Sequence, residues 1–168
     1  AKRFGVEMMV GHSVAGLRRE DPYRIVTLAN GQEVSCHALV LATGMTVREL
    51  EVPGVKPLVG AGIYYGAAMS EAVLYRGQDV AIVGGANSAG QGALFFSRYA
   101  HKVTILLRQP TLSPWMSRYL VDRIEGIPNI AVIPRVEVAE ACGNGGRLEQ
   151  VAIKNLDSGE IQALKAAA

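Results

Sequence analysis

Residues 84–90 read GGANSAG and follow directly on the apolar run DVAIV at 79–83. Glycines between a buried strand and a helix are a common way to bring backbone amides up to a dinucleotide pyrophosphate. The pattern G-x-G-x-x-G/A makes three steric demands. The first Gly allows a tight strand-to-helix turn, the second lets the backbone approach the phosphates, and the third position must be small for close helix–strand packing. Gly84 meets the first and Ala89 the third. Ala86 stands at the second, where a methyl forbids nothing provided φ is negative. Amides from Asn87 to Ala89 would then face the anion, with the helix dipole behind them. Gly84, Gly85, Ala86, Asn87, Ser88 and Ala89 are therefore the candidate pyrophosphate cradle.

About 20 residues further on, sites for NAD usually place an Asp or Glu against the ribose 2′-hydroxyl. Here the strand KVTILL is followed by Arg108 and Gln109, with no acid beside them. A guanidinium at that place can grip a 2′-phosphate through charge-assisted bonds, so the expected cofactor is NADPH. Lys102 and Arg118 would add positive charge. No catalytic side chain is expected. Ser88 lacks the preceding Gly of a nucleophile elbow. His12, His37 and His101 are dispersed, Cys36 and Cys142 stand in no ligand spacing, and no metal site is implied. The aromatics of GIYYGAA are expected to pack in a core or interface.

These residues need elements to position them. DVAIV, KVTILL and PNIAVIP are short buried strands, separated by two helical stretches. The first, 87–100, has Asn87 or Ser88 as its cap. The second, SPWMSRYLVDRIEG, has Ser113 as cap and Pro114 in its first turn, with Met116, Leu120, Val121 and Ile124 at helical spacing. VEVAEAC and LEQVAIKNL flank the turn GNGG, with SGEIQAL after them, and predict an antiparallel β element. The fold class is α/β: a Rossmann-like β-α-β-α-β unit with right-handed crossovers, followed by antiparallel strands.

Ahead of this unit, residues 1–50 read as strands and turns, with Asn30-Gly31 a hairpin signal and ALVLATG a buried strand ending at Gly44. MTVRELEVPGVKPLVGAG, rich in Pro and Gly, reads as a linker, with the boundary near 45–55. Residues 51–165 form the nucleotide-binding domain. The closing Ala166–Ala168 resemble a vector-derived tail and are set outside the fold. The 168 residues suffice for a real core, and their net charge of +2, with scattered basic residues, implies no nucleic-acid partner. No apolar stretch approaches the roughly 20 residues of a membrane span. Two unpaired thiols and no visible leader point to a cytoplasmic protein.

The stretches ALVLATG, VPGV, YRGQDVAIVGGANSAGQGALFFSRYAHKVTILLR, NIAVI and VAIKNLDSGE resemble the low-molecular-weight thioredoxin reductases, a group of two-dinucleotide-domain flavoproteins. The resemblance implies that residues 1 to about 50 belong to the β region of an FAD domain, and that the remainder is the inserted NADPH domain. It also implies hydride transfer from NADPH to FAD, with electrons passing to an acceptor that the sequence does not identify.

Three departures stand out. Ala67 and Ser70, in AAMS, occupy the positions of the family's redox Cys-x-x-Cys, so neither can supply the attacking thiolate. Gln109 thins the arginine cluster after the second strand. Both ends of the FAD domain are missing, so FAD is not expected to bind this chain and the chain is expected to be inactive alone. GGANSAGQGALFFSRYA and MSRYLVDRI are most like the dithiol-free members fused to regulatory domains. The alternative is a stand-alone interaction or regulatory module, a homodimer that keeps the fold without turning over nucleotide.

Overall fold

The computed structural model describes residues 2–44, 46–66, 69–112 and 115–168. They divide into two compact units, Ala1–Thr46 and Val47–Ala168.

In the first unit, β1 (Val14–Glu20), β2 (Tyr23–Leu28) and β3 (Glu33–Cys36) form an antiparallel meander. Asn30 and Gly31 do turn the chain between β2 and β3, with the Asn30 side chain accepting the Gln32 amide at 3.0 Å. The loop is longer than a two-residue hairpin, because Thr27 and Glu33 form the last pair. Arg18 on β1 reaches across β2 and forks onto both carboxylate oxygens of Glu33, one of them at 2.9 Å. Among the described residues of this unit, Ile25 and Leu28 are the buried apolar side chains.

The expected strand through ALVLATG does not form. Residues 39–44 have no regular structure, and Val40 and Leu41 are exposed. An apolar run becomes a strand only where a neighbour takes its amides and carbonyls, and none does so among the described residues.

The second unit is layered. β4 (Asp79–Val83), β5 (Lys102–Leu106) and β6 (Ile130–Ile133) pair in parallel in that order. The crossovers carry α2 (Asn87–Phe96) and α3 (Arg118–Glu125), while α1 (Met69–Leu74) precedes β4. β7 (Val136–Asn144), β8 (Arg147–Asn155) and β9 (Ile161–Lys165) form the antiparallel meander. β5 separates two cores. Val103 and Ile105 join the helical layer with Phe96, Leu120 and Ile124. Leu106 faces Val136, Val138 and Ile153 of the meander.

Met116, Leu120, Val121 and Ile124 are buried, as their spacing predicts. The α-helical segment is shorter than expected, starting at Arg118 with Ser117 as its N-cap. Ser113 and Pro114, the expected cap and first-turn residue, lie outside the described residues. α2 likewise ends at Phe96, four residues before the expected end. A Cβ on Gly90 would meet Met116 Sδ at 2.7 Å, so this glycine in α2 makes room for the α3 segment.

Two stretches expected from sequence to lie outside the packed fold are part of it. The Pro/Gly-rich segment is docked rather than free: Val55 and Leu58 are buried in the meander core, and the Ala141 amide donates to the Pro53 carbonyl at 2.9 Å. Ala166–Ala168 lie inside the fold. Ala166 is fully buried, the Ala167 amide donates to Asp79 on β4, and the Ala81 amide donates to Ala168. Alanines carry no sequence pattern, so only the free edge of β4 reveals their place.

Gly54 has φ 79°, and a Cβ there would collide with the Ala141 carbonyl oxygen. Gly54→Ala should therefore lower stability in urea denaturation by about 3 kcal/mol. Arg18 holds the Glu33 carboxyl below its ordinary value of 4.5. Stability from this pair is present above that value and lost as pH falls through the lowered one. A carboxyl-detected NMR titration should find Glu33 low in the native protein and back near 4.5 in Arg18→Ala.

Candidate functional site

At the carboxyl end of β4 the chain turns through Gly84, Gly85 and Ala86 into α2. Gly84 has φ 136°, which an L side chain rarely adopts, and its amide donates to Leu106 on β5 at 3.1 Å. A Cβ on Gly85 would press on Leu107 Cδ2 at 2.8 Å. Ala86 is extended, at φ −95° and ψ 177°, so its methyl causes no backbone strain. Small size at Ala89 also matters, since its Cβ lies 3.6 Å from where a Cβ on Gly84 would be.

The expected Asn87 or Ser88 cap is not found. Ala86 is the N-cap of α2, no side chain caps the helix, and no acid occupies its first turn. Asn87 is instead the first helical residue, and its Oδ1 accepts the Ser117 amide at 2.8 Å, tying the start of α2 to the start of α3. A cap supplied by Asn87 or Ser88 would have consumed a first-turn amide. Its absence leaves the positive end of the helix open to an anion.

Arg108 follows β5 by two residues, and its side chain is 69% exposed. It lines, together with Ser88 and Ala89, a cavity of about 890 Å³ along β4. Parallel strands leave a crevice at their carboxyl ends where the connections diverge. β5 lies on one side of β4 and the Ala167–Ala168 backbone on the other. Of the turn and first helical residues, Ser88 and Ala89 line the cavity, whereas Gly84, Gly85, Ala86 and Asn87 do not.

Lys102 does not join this cluster. It opens β5 opposite Asp79, at the far end of a strand spanning roughly 13 Å. Arg118 is engaged with Asp122 at 2.7 Å. Tyr64 and Tyr65 both line the cavity. The Tyr64 hydroxyl bonds that of Tyr75 at 2.8 Å, and the Tyr65 hydroxyl accepts the Leu50 amide at 2.9 Å. Ala67 lies outside the described residues, and Ser70 falls in α1.

Glu137 gives no signal in the sequence as a partner of Arg108. Its Oε2 stands 3.7 Å from Arg108 Nη2, a pairing invisible in a sequence where the two are 29 positions apart. A separation of 30 positions likewise hid the bond between Asn87 and Ser117. Cys36 and Cys142 are free thiols, and among the described residues no cluster of His, Cys, Asp or Glu could hold a metal. No helix of the described residues is long and apolar enough to cross a membrane.

A parallel β-α-β-α-β sheet with a glycine turn at the end of its first strand defines the Rossmann-like α/β class. The chain belongs to the pyridine nucleotide-disulphide oxidoreductase family, whose profile matches residues 2–166, and is a thioredoxin reductase-like member of it. It is 38% identical over 109 residues to the bifunctional thioredoxin reductase/thioredoxin of Mycobacterium leprae, covering 65% of this chain and 23% of that one. It is 31% identical over 168 residues to NADPH-dependent thioredoxin reductase 3 of Arabidopsis thaliana, covering 99% and 31%. The solved thioredoxin reductase of Giardia duodenalis superposes with a TM-score of 0.77 at 26% identity, covering 99% and 53%. The chain thus spans between about a quarter and about half of the length of these relatives.

Asn87→Ala should leave the fold intact and lower stability by about 1 kcal/mol, the usual net worth of one such hydrogen bond. Faster exchange of the Ser117 amide with solvent deuterium would identify the bond that was lost.

Proposed function

We propose that residues 51–165, within the unit Val47–Ala168, are the NADP(H)-binding domain of a thioredoxin reductase-like flavoprotein oxidoreductase that works without the redox Cys-x-x-Cys. The observation that carries the reading is the uncapped, acid-free start of α2, opening on the same cavity as Arg108. The residues present suit a dinucleotide: Gly84 offers no side chain, Ala86 is extended, and the first-turn amides lack a side-chain acceptor. NADPH dependence in the name of the Arabidopsis relative supports the choice of nucleotide.

In this reading the amides of the 84–89 turn hold the pyrophosphate, and Arg108 binds the 2′-phosphate with charge-assisted bonds. The bound nicotinamide supplies the hydride. The protein binds and orients it, and the apolar cavity walls exclude water. No side chain of this chain is assigned a catalytic step. FAD serves as hydride acceptor in the intact flavoprotein, and residues 1–50 belong to its domain. Taken alone, the 168 residues bind nucleotide without turning it over, and their solution should show no flavin band in the visible blue. Electrons would pass to an acceptor other than through a dithiol at Ala67 and Ser70, in the cytoplasm.

A homodimeric interaction module is the second reading, favoured by Phe4, Val40 and Leu41, each exposed in the first unit. A dimer in sizing chromatography that binds no nucleotide would support it over the first.

Calorimetric titration tests the leading reading. NADPH should bind more tightly than NADH, and Arg108→Ala should remove about tenfold from NADPH affinity while leaving NADH unchanged. Ala86→Gly should bind at least as well as the unaltered protein, and Gly84→Val should abolish binding. If Gly84→Val binds normally, the turn is structural only. Equal weak affinity for the two nucleotides would sink the role of Arg108.

A further inference from the structure

Glu137 is placed against Arg108 by the main chain, not by chance contact of two long side chains. The Val136 amide donates to the Leu107 carbonyl at 2.8 Å, and the Arg135 amide donates to the Gln109 carbonyl at 3.3 Å. These two bonds bracket Arg108 on one side and lead directly into Glu137 on the other. Both side chains therefore leave from backbone held by these bonds just past the carboxyl end of β5, and the separation between Glu137 Oε2 and Arg108 Nη2 is 3.7 Å. That is beyond ordinary hydrogen-bond length, so the carboxylate attracts the guanidinium without occupying its donors. Glu137 is also partly sheltered, its side chain 35% exposed against 69% for Arg108. Lys154 is its register partner on β8.

We propose that Glu137 is a specificity-determining residue of the nucleotide site: it holds Arg108 while the site is free and weakens the preference for a 2′-phosphate once the site fills. The inference rests on the NADP(H) reading above. A phosphate monoester carries up to two negative charges near neutral pH and forms short, charge-assisted bonds with a guanidinium. It therefore displaces a carboxylate that makes no direct bond. Displacement does not remove the carboxylate, because its backbone stays fastened beside Arg108. The two anions then share one cation, and their repulsion falls on the phosphorylated nucleotide alone. NADH, with a neutral 2′-hydroxyl, does not meet this repulsion and can be received by the same carboxylate as a hydrogen-bond acceptor. Glu137 thus performs from β7 the task that an acid at the end of the second strand performs in many NAD sites. It sits in opposition to Arg108 and narrows the discrimination that Arg108 creates.

The test is titration of NADPH and NADH into the full chain and into its Glu137→Gln form, with thermal unfolding to show that both are folded. Glu137→Gln should bind NADPH about 3- to 10-fold more tightly, with NADH unchanged or weakened, as for loss of one like charge near a partly exposed site. The gain should shrink in 1 M salt, where the screening length is about 3 Å. It should be smaller in an Arg108→Ala background, where competition for that cation is gone and only the direct repulsion between carboxylate and phosphate is left. If the unaltered chain prefers NADPH while Glu137→Gln binds it equally or less tightly, the inference is wrong and the NADP(H) reading stands. If the unaltered chain binds no NADPH, the reading fails and the inference with it, and equal affinity for the two nucleotides in both the unaltered chain and Glu137→Gln overturns the inference together with the role of Arg108.

Discussion

Burial of β5 on both faces is the constraint from which the second unit follows. Val103, Ile105, Leu106 and Leu107 are each 2% exposed or less. A parallel strand that apolar on both faces needs a layer on each side. The helices supply one and the β7–β9 meander the other. The same strand takes the Gly84 amide on its Leu106 carbonyl and ends two residues before Arg108. The core and the proposed nucleotide site are therefore anchored on one element. Shifting its register by one residue would exchange the two cores and turn Arg108 away.

The site itself is defined by what is withheld. α2 has no capping side chain, its first turn has no acid, and Gly84 has no Cβ. Each would ordinarily weaken a helix start. Stability is recovered next door, where Asn87 binds the Ser117 amide and Met116 fills the space left by Gly90. The cost of an open helix terminus is thus met by packing against α3, which leaves the turn free to face a ligand. Arg108 and Glu137 are held with similar economy by the main-chain bonds between 107–109 and 135–136.

Local pattern revealed much of this. Strands β4, β5 and β6, the burial of Met116, Leu120, Val121 and Ile124, and the β7–β8 hairpin all follow from apolar spacing and turn residues. The negative φ that Ala86 requires is also what the backbone adopts. Misreadings came where one sequence pattern has two outcomes. VPGV looks like a linker, yet Val55 is buried, because Pro and Gly also suit a segment pressed against another backbone. ALVLATG looks like a buried strand, yet Val40 is exposed, because an apolar run does not bring its own neighbour.

The sequence by itself determined the class of fold and the chemistry available at the turn, since steric demands at Gly84, Ala86 and Ala89 and the positive charge at Arg108 are properties of residue type and short-range spacing. Tertiary structure decided which groups meet. Lys102 was carried to the wrong end of its strand, Asn87 was drawn from capping its own helix to bonding the next one, and Glu137 was brought to Arg108. Ala166–Ala168 found the edge of β4. The physical reason is common to all four. Backbone hydrogen bonds and burial act between segments far apart in the chain, and they set positions that no local pattern records.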